Sequence, residues 1–235
     1  MRDSEIGSSA LDLPIAGEPM RLLADRALFW PARRRLLIAD LHLGKSDAFR
    51  AWGIAVPSGG TAHDLSRLQR LLQQCDAREL WILGDFLHAA HRARADAQWR
   101  HFRESHPGVA MAVVPGNHDR AFDPQVAGIQ IVADGTREGP FEFRHAPRAI
   151  EPGAAHAAHV ICGHLHPVLR LPGVGRLPAF WLGANMCVLP AFSAFTGGLQ
   201  MDLSSADQVV VCNGRDLHAL SATHGVTQDA THGAT

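Results

Sequence analysis

Four short polar clusters carry the residues that could do chemistry: Asp40-Leu41-His42, Gly84-Asp85, Gly116-Asn117-His118-Asp119 and Gly163-His164-Leu165-His166. Each follows an apolar run, respectively Leu36–Ala39, Leu80–Leu83, Val109–Val114 and His159–Cys162. Carboxylate, imidazole and amide oxygen are hard-to-intermediate donors, and no thiolate is among them. Such a set suits Mn2+, Fe2+, Zn2+ or Mg2+ better than a structural zinc–thiolate centre. The fifteen histidines, against 23 acidic residues, point the same way, because a metal site is one use for such an excess. On an extended segment the side-chain period is two, so Asp40 and His42 are expected on one face, and His164 and His166 likewise. Glycine before Asp85, Asn117 and His164 is expected to let the backbone turn tightly beneath a crowded site. Taken singly, each cluster is a common turn or an exposed polar pair. Their order, each at the end of an apolar run, is what points to a metal centre.

The elements that must position these clusters can be read from periodicity. The four apolar runs are expected to be buried strands. Between the first two, Leu65, Leu68, Leu71 and Leu72 recur at helical spacing within Thr61–Gln74, with arginines on the other face. Ala93–Glu104 reads as a second helix with Trp99 and Phe102 inward. Alternating strand and helix implies a mostly parallel sheet, whose ligands gather beyond the carboxyl ends of the strands. Further on, short strands are expected within Gly135–Arg144, Val168–Leu171, Ala179–Leu182, Met186–Leu189 and Val209–Cys212, a second and more antiparallel sheet. The expected fold class is α/β, a four-layer αββα sandwich of two mixed sheets flanked by helices. Residues 1–220 would be one domain and 221–235 a frayed tail, with His224 and His232 solvated.

The ordered motifs resemble the signature of the binuclear metallophosphoesterases, also called calcineurin-like phosphoesterases, from about Leu28 to Cys212. The resemblance implies that Asp40, His42 and His166 hold one divalent metal and that Asn117, His145 and His164 hold the other. Asp85 would bridge the two. The family has one more histidine between the third and fourth motifs, usually just after a strand. His145, following Phe141-Glu142-Phe143-Arg144, fits that better than His156 in an Ala/Gly-rich loop or His159 inside the next strand. His118 would face the scissile phosphate as the catalytic acid, with Asp119 as a candidate to orient it.

Flanking pieces narrow the resemblance. Gly44-Lys45, Phe49-Arg50, Gly53 to Gly59, Gly84-Asp85-Phe86-Leu87-His88, Asp119-Arg120 and Phe195-Thr196-Gly197-Gly198 are similar to the bacterial ligase-associated DNA-damage-response endonucleases. That branch implies a manganese-dependent phosphodiesterase that cuts DNA, with single strands the expected substrate, by a hydroxide activated between two metals. It also implies a role in DNA repair, in association with an ATP-dependent DNA ligase, a helicase and an exonuclease. Arg120, Arg50 and Lys45 are the candidate substrate cations, each with a solvated surface residue as the plain alternative. Phe49, Trp52, Phe86 and Phe192 could stack bases, although core packing is favoured for Phe86 and Phe192. The rival functions are a small-molecule phosphomonoesterase or nucleotide phosphodiesterase on the same site, and a non-catalytic scaffold of the same fold.

Composition sets the outer limits. At 235 residues the chain is long enough for one well-buried core. A net charge of −1 excludes a uniformly basic nucleic-acid coat, and Lys45 is the only lysine. DNA affinity is therefore expected to be modest and salt-sensitive. Cys75, Cys162, Cys187 and Cys212 form no CxxC pair and read as small hydrophobes in a reducing compartment. No apolar run has the length of a signal peptide or a membrane span, so a cytoplasmic protein is expected, with no membrane partner.

Overall fold

A computed structural model describes residues 9–88, 93–119, 123–148, 158–202 and 208–221. In chain order the strands of the first sheet are β1 (Ala10–Ile15), β2 (Glu18–Leu23), β3 (Ala27–Trp30), β4 (Arg35–Ala39), β5 (Glu79–Leu83), β6 (Ala110–Val114) and β7 (Gln130–Ile131). They lie in sequence order across the sheet. The pairs from β1 to β4 are antiparallel, and those from β4 to β7 are parallel. The helices α1 (Lys45–Ala51), α2 (Gly60–Gln74), α3 (Ala93–Glu104) and the single turn α4 (Pro124–Ala127) belong to the connections of the parallel half. The short β1–β2–β3 meander, which periodicity did not single out, extends that half by three antiparallel strands.

The second sheet comprises β8 (Thr136–Glu138), β9 (Phe141–Phe143), β10 (His159–Cys162), β11 (Pro167–Leu171), β12 (Gly175–Gly183), β13 (Met186–Val188), β14 (Leu199–Gln200), β15 (Gln208–Cys212) and β16 (Leu217–Ser221). Its main path runs β14-β11-β12-β13-β10-β9-β8, with β15 on β12 and β16 on β15. The pairs β9–β10 and β10–β13 are parallel, and β11–β12 and β12–β15 are antiparallel. The two-sheet α/β architecture is therefore as the sequence implies. Among the described residues the helices pack on the first sheet, and the outer face of the second carries small side-chain clusters such as Val160, Cys162 and Val188.

Strand alternation assigns the layers. Leu36 and Ile38 of β4, with Leu80 and Ile82 of β5, face the leucines of α2 and the Trp99 and Phe102 of α3. Leu37, Ala39 and Leu83 face the other way, onto Phe141, Phe143, Ile161 and Phe180 of the second sheet. Both faces of these strands are buried, which is why they read as unbroken apolar runs. Phe86 and Phe192 lie in the helix-side core, as favoured. Burying a side chain of this size contributes roughly 1.5–3 kcal/mol.

One polar detail of α2 departs from the amphipathic reading. Arg67 is buried: its guanidinium donates to Asp64 Oδ1 (3.0 Å), the Phe192 carbonyl (2.9 Å) and the Asp25 carbonyl (2.7 Å). Asp64 in turn accepts the backbone N–H of Ala194. The pair ties α2 to the segment after β13, and that segment bridges back to the end of β4 through Phe192 N–H on the Ala39 carbonyl (2.8 Å). A buried charge is tolerable only with such partners.

Candidate metal centre

Each of the four clusters lies just beyond the carboxyl end of its strand: β4, β5, β6 and β10. Their backbones then hold one another. The N–H of Asp40 donates to the Gly84 carbonyl (3.2 Å), His42 to Asp85 (2.8 Å), and Leu43 to Phe86 (2.9 Å). Asp40, His42, Asp85, His164 and His166 all have left-handed backbones, with φ of 54°, 47°, 46°, 69° and 49°. This corrects the expected extended Asp-x-His geometry. Left-handed turns at alternate residues send Asp40 and His42 to the site while Leu41 packs in the helix-side core. Such backbone costs of order 1 kcal/mol per non-glycine residue and persists only where surrounding contacts over-determine it.

The side chains gather in two groups, Asp40 with His42 and His166, and Asp85 with His145 and His164. Within the first, His166 Nε2 lies 3.3 Å from Asp40 Oδ1. In the second, His145 Nε2 lies 3.0 Å from His164 Nδ1 and 3.7 Å from Asp85 Oδ1. Asp85 faces both groups, because its Oδ2 is 3.9 Å from His42 Nε2. Among the described residues Asp40 Oδ1, His42 Nε2 and His166 Nε2 are buried without a hydrogen-bond partner. Buried orphan acceptors are costly, and a cation shared among them removes that cost. The donor set and these orphans fit divalent metals.

A surrounding layer sets the ring orientations. His166 Nδ1 faces the Gly197 carbonyl (3.1 Å) and His145 Nδ1 the Leu83 carbonyl (3.3 Å), which turns each Nε2 inward. The N–H of His145 donates to Asp134 Oδ1 (3.0 Å), and that of His164 to Asp40 Oδ2 (2.9 Å). Close approach explains two of the glycines. A Cβ on Gly84 would sit 1.8 Å from His145 Nδ1, and one on Gly116 would sit 2.3 Å from Asp85 Oδ1. Gly84 also has a φ of +79°.

Burial, with Lys45 and the neighbouring imidazoles, pushes His42 down to about 2. Burial and Lys45 push His88 down to about 4, and burial and His145 lower His164. These rings are neutral at pH 7, with lone pairs free for a cation.

The remaining candidates sort by position. His118 is 46% exposed at its side chain; its Nε2 lies 4.0 Å from Asp85 Oδ2, and its backbone N–H donates to Asp85 Oδ1 (3.0 Å). Asn117 is exposed on the same loop. Asp119 is buried and accepts the backbone N–H groups of Phe86, Leu87 and Gly116 (3.2, 3.0 and 2.8 Å), so it staples the second cluster to the third. Among the described residues no contact joins its carboxylate to the His118 ring. Lys45 Nζ donates to Thr196 Oγ1 (3.2 Å); burial lowers its pKa, and the charges of Asp40 and Asp85 oppose that shift. Arg50 turns to Asp47 and the Pro57 carbonyl. Arg120 and His156 lie outside the described residues. His159 opens β10, at the end remote from Gly163.

His88 has no role that its motif alone assigns, yet it stands beside the site. Its ring lies 5.6 Å from that of His42 and 5.5 Å from that of His118. Its place in Gly84-Asp85-Phe86-Leu87-His88, three residues past the aspartate, was the available signal.

Residues 33–150 match the family model for the calcineurin-like phosphoesterases. The chain belongs to this family. Among solved structures, this phosphoesterase is similar to the Pseudomonas putida nuclease MPE, with 39% identity and a TM-score of 0.77 over 90% of this chain and 100% of that one. A second is Yfce, a phosphoesterase from E. coli, at 17% identity and a TM-score of 0.46 over 80% of this chain and 98% of that one. A comparison with curated proteins gave no match. Among the described residues no helix of the phosphoesterase is long and apolar enough to cross a membrane.

Proposed function

We propose that this phosphoesterase is a phosphodiesterase that cuts DNA internally, preferring single strands, with two divalent cations of which Mn2+ is the physiological one. The observation that carries the reading is the pair of carboxylate–imidazole groups meeting at Asp85. Support for a nucleic-acid substrate is the similarity to a protein described as a nuclease, whose whole length is covered. Asp40, His42 and His166 would hold one cation. Asp85, His145 and His164, with Asn117 as a further donor, would hold the other. When bound, the cations supply Lewis-acid charge for the phosphate oxygens and lower the pKa of a water.

The protein's own groups then do the rest. His118 stands at the rim with its ring accessible and its backbone pinned to Asp85, the place from which a proton could reach a leaving alkoxide. Asp119 acts on this loop as a backbone anchor. Lys45 adds a fixed positive charge beside the two aspartates, where an incoming phosphate needs it. A role in DNA repair, alongside an ATP-dependent ligase, a helicase and an exonuclease in the cytoplasm, completes the reading.

The test is cleavage of single-stranded and duplex DNA by metal-stripped protein with Mn2+, Mg2+ or Zn2+ restored, beside an Asp85→Ala control. Restored cutting by wild type and none by the control is the expected result. Intact DNA with turnover of a small phosphomonoester or nucleotide would replace DNA by a small substrate.

A further inference from the structure

Beside the metal centre lies a patch that the phosphodiesterase chemistry leaves unused. Trp52 caps α1 and is 60% exposed, and Ile54 is 49% exposed. Among the described residues Trp52 is the one exposed tryptophan. The turn that presents it is firmly built: Trp52 N–H donates to Ala48 (3.1 Å), Gly53 N–H to Arg50 (2.9 Å) and Ile54 N–H to Phe49 (2.9 Å). Arg50, tied to Asp47 and to the Pro57 carbonyl, braces the following segment. An ordered turn that holds an indole out in water invites a partner.

The patch is continuous with the site. The ring of Trp52 lies 6.4 Å from that of His88, and Phe49 lies 6.0 Å from Trp52 and 5.9 Å from His88. His88 in turn meets His42 and His118. Aromatic faces therefore run without a break from a metal-site histidine to solvent. Lys45, whose Nζ is 5.9 Å from the Phe49 ring, puts a cation at the inner end. A cation and metal ligands inside, with a flat apolar face outside, match a nucleotide: phosphate inward, base outward.

We propose that Trp52, supported by Phe49, is the stacking platform for the base next to the phosphate that is cut in a single strand. This rests on the nuclease reading. It also gives a physical reason for a single-strand preference, since a base paired and stacked in a duplex has no free face to offer. Stacking of one base on an aromatic side chain corresponds to about 5- to 150-fold in affinity.

The experiment is a coupling cycle in Mn2+-loaded protein, read by anisotropy of a labelled single-stranded oligonucleotide whose phosphodiester linkages are replaced by non-hydrolysable phosphonates. An abasic residue is stepped through the oligonucleotide, and each form is titrated with wild type, Trp52→Ala and Trp52→Phe. The expected result is one position at which base removal weakens wild-type binding by about 5- to 150-fold. Trp52→Ala should cost the same, the combination should cost no more than either change alone, and Trp52→Phe should recover most of the loss. Additive losses, or equal binding by Trp52→Ala, would overturn the platform. So would a concentration-dependent dimer that Trp52→Ala abolishes without affecting DNA, which would give the patch to a second copy. Cleavage with Mn2+ is scored separately. Coupling without cleavage would remove the nuclease reading and leave Trp52 only as a base-stacking site for bound single strands, and cleavage without coupling would keep the nuclease reading and overturn the platform.

Discussion

Replacing Gly84 by alanine puts the geometry of the site under its hardest test. The added Cβ would lie 1.8 Å from His145 Nδ1, 2.3 Å from its Cγ and 2.8 Å from its Cβ. Ordinary contact needs a retreat of about 1.6 Å. The neighbour is a ring held at both nitrogens, by the Leu83 carbonyl and His164, and so is no flexible chain end. Alanine at a φ of +79° adds about 1–2 kcal/mol of backbone strain, and overpacking adds about 1–3 kcal/mol. The fold survives that loss, but the site does not keep its shape. A displacement of about 1 Å at a reacting constellation costs on the order of 100-fold in rate. The assay compares kcat/KM with Mn2+ restored, metal content after dialysis, and the circular dichroism spectrum. The expected outcome is a native spectrum, weakened retention of the second metal and at least about 100-fold lower kcat/KM. A Gly84→Ala protein with two metals and wild-type rate would show that His145 does not work from the position described.

Three further outcomes follow from the same structure. His118→Ala should keep its metals, because the exposed ring belongs to neither ligand group, yet cut DNA about 10²–10⁴-fold more slowly; an unaltered rate would dismiss it as the acid. Arg67→Ala strands the buried Asp64 and should cost about 3–5 kcal/mol, a drop of about 10 °C in Tm by calorimetry, whereas a surface-like change below 1 °C would contradict the buried pairing. Metal-free protein should lose stability in acid through His42. Its pKa is depressed in the folded state to about 2, so the contribution is full above about pH 6.5 and is lost as pH falls from there toward 2, at up to about 1.4 kcal/mol per pH unit. Urea unfolding in chelator from pH 7 to 5 should therefore slope less steeply for His42→Asn, and parallel curves would refute the assignment.

Much of the site was legible because its information is local. A polar cluster at the end of an apolar run says where a strand stops and what it delivers, and the leucine spacing of α2 names a helix without reference to the rest of the chain. His145 needed only a preceding strand to be preferred over His159, and the structure puts it 3.7 Å from Asp85. Other features left no local trace. The β1–β3 meander is short and irregular in pattern, with buried residues such as Met20 and Leu22 set among prolines and charges. Arg67 carries the same letter as Arg70, exposed on the same helix, and only Asp64 one turn before it, with Asp25 and the Phe192 carbonyl brought from elsewhere, makes it a core residue.

By itself the sequence determined the strand ends, the α2 and α3 helices and the donor types that collect beyond them, because hydrophobic periodicity and side-chain chemistry are properties of neighbouring residues. Tertiary structure decided how those donors meet. Asp40 and His164 are 124 positions apart, and a backbone N–H on a carboxylate oxygen at 2.9 Å joins them. The left-handed turns at Asp40, His42, Asp85, His164 and His166 are unfavourable in isolation, so no local propensity announces them. They exist because two sheets, packed through Leu37, Leu83, Phe143 and Ile161, bring four loops close enough to hydrogen-bond one another into place.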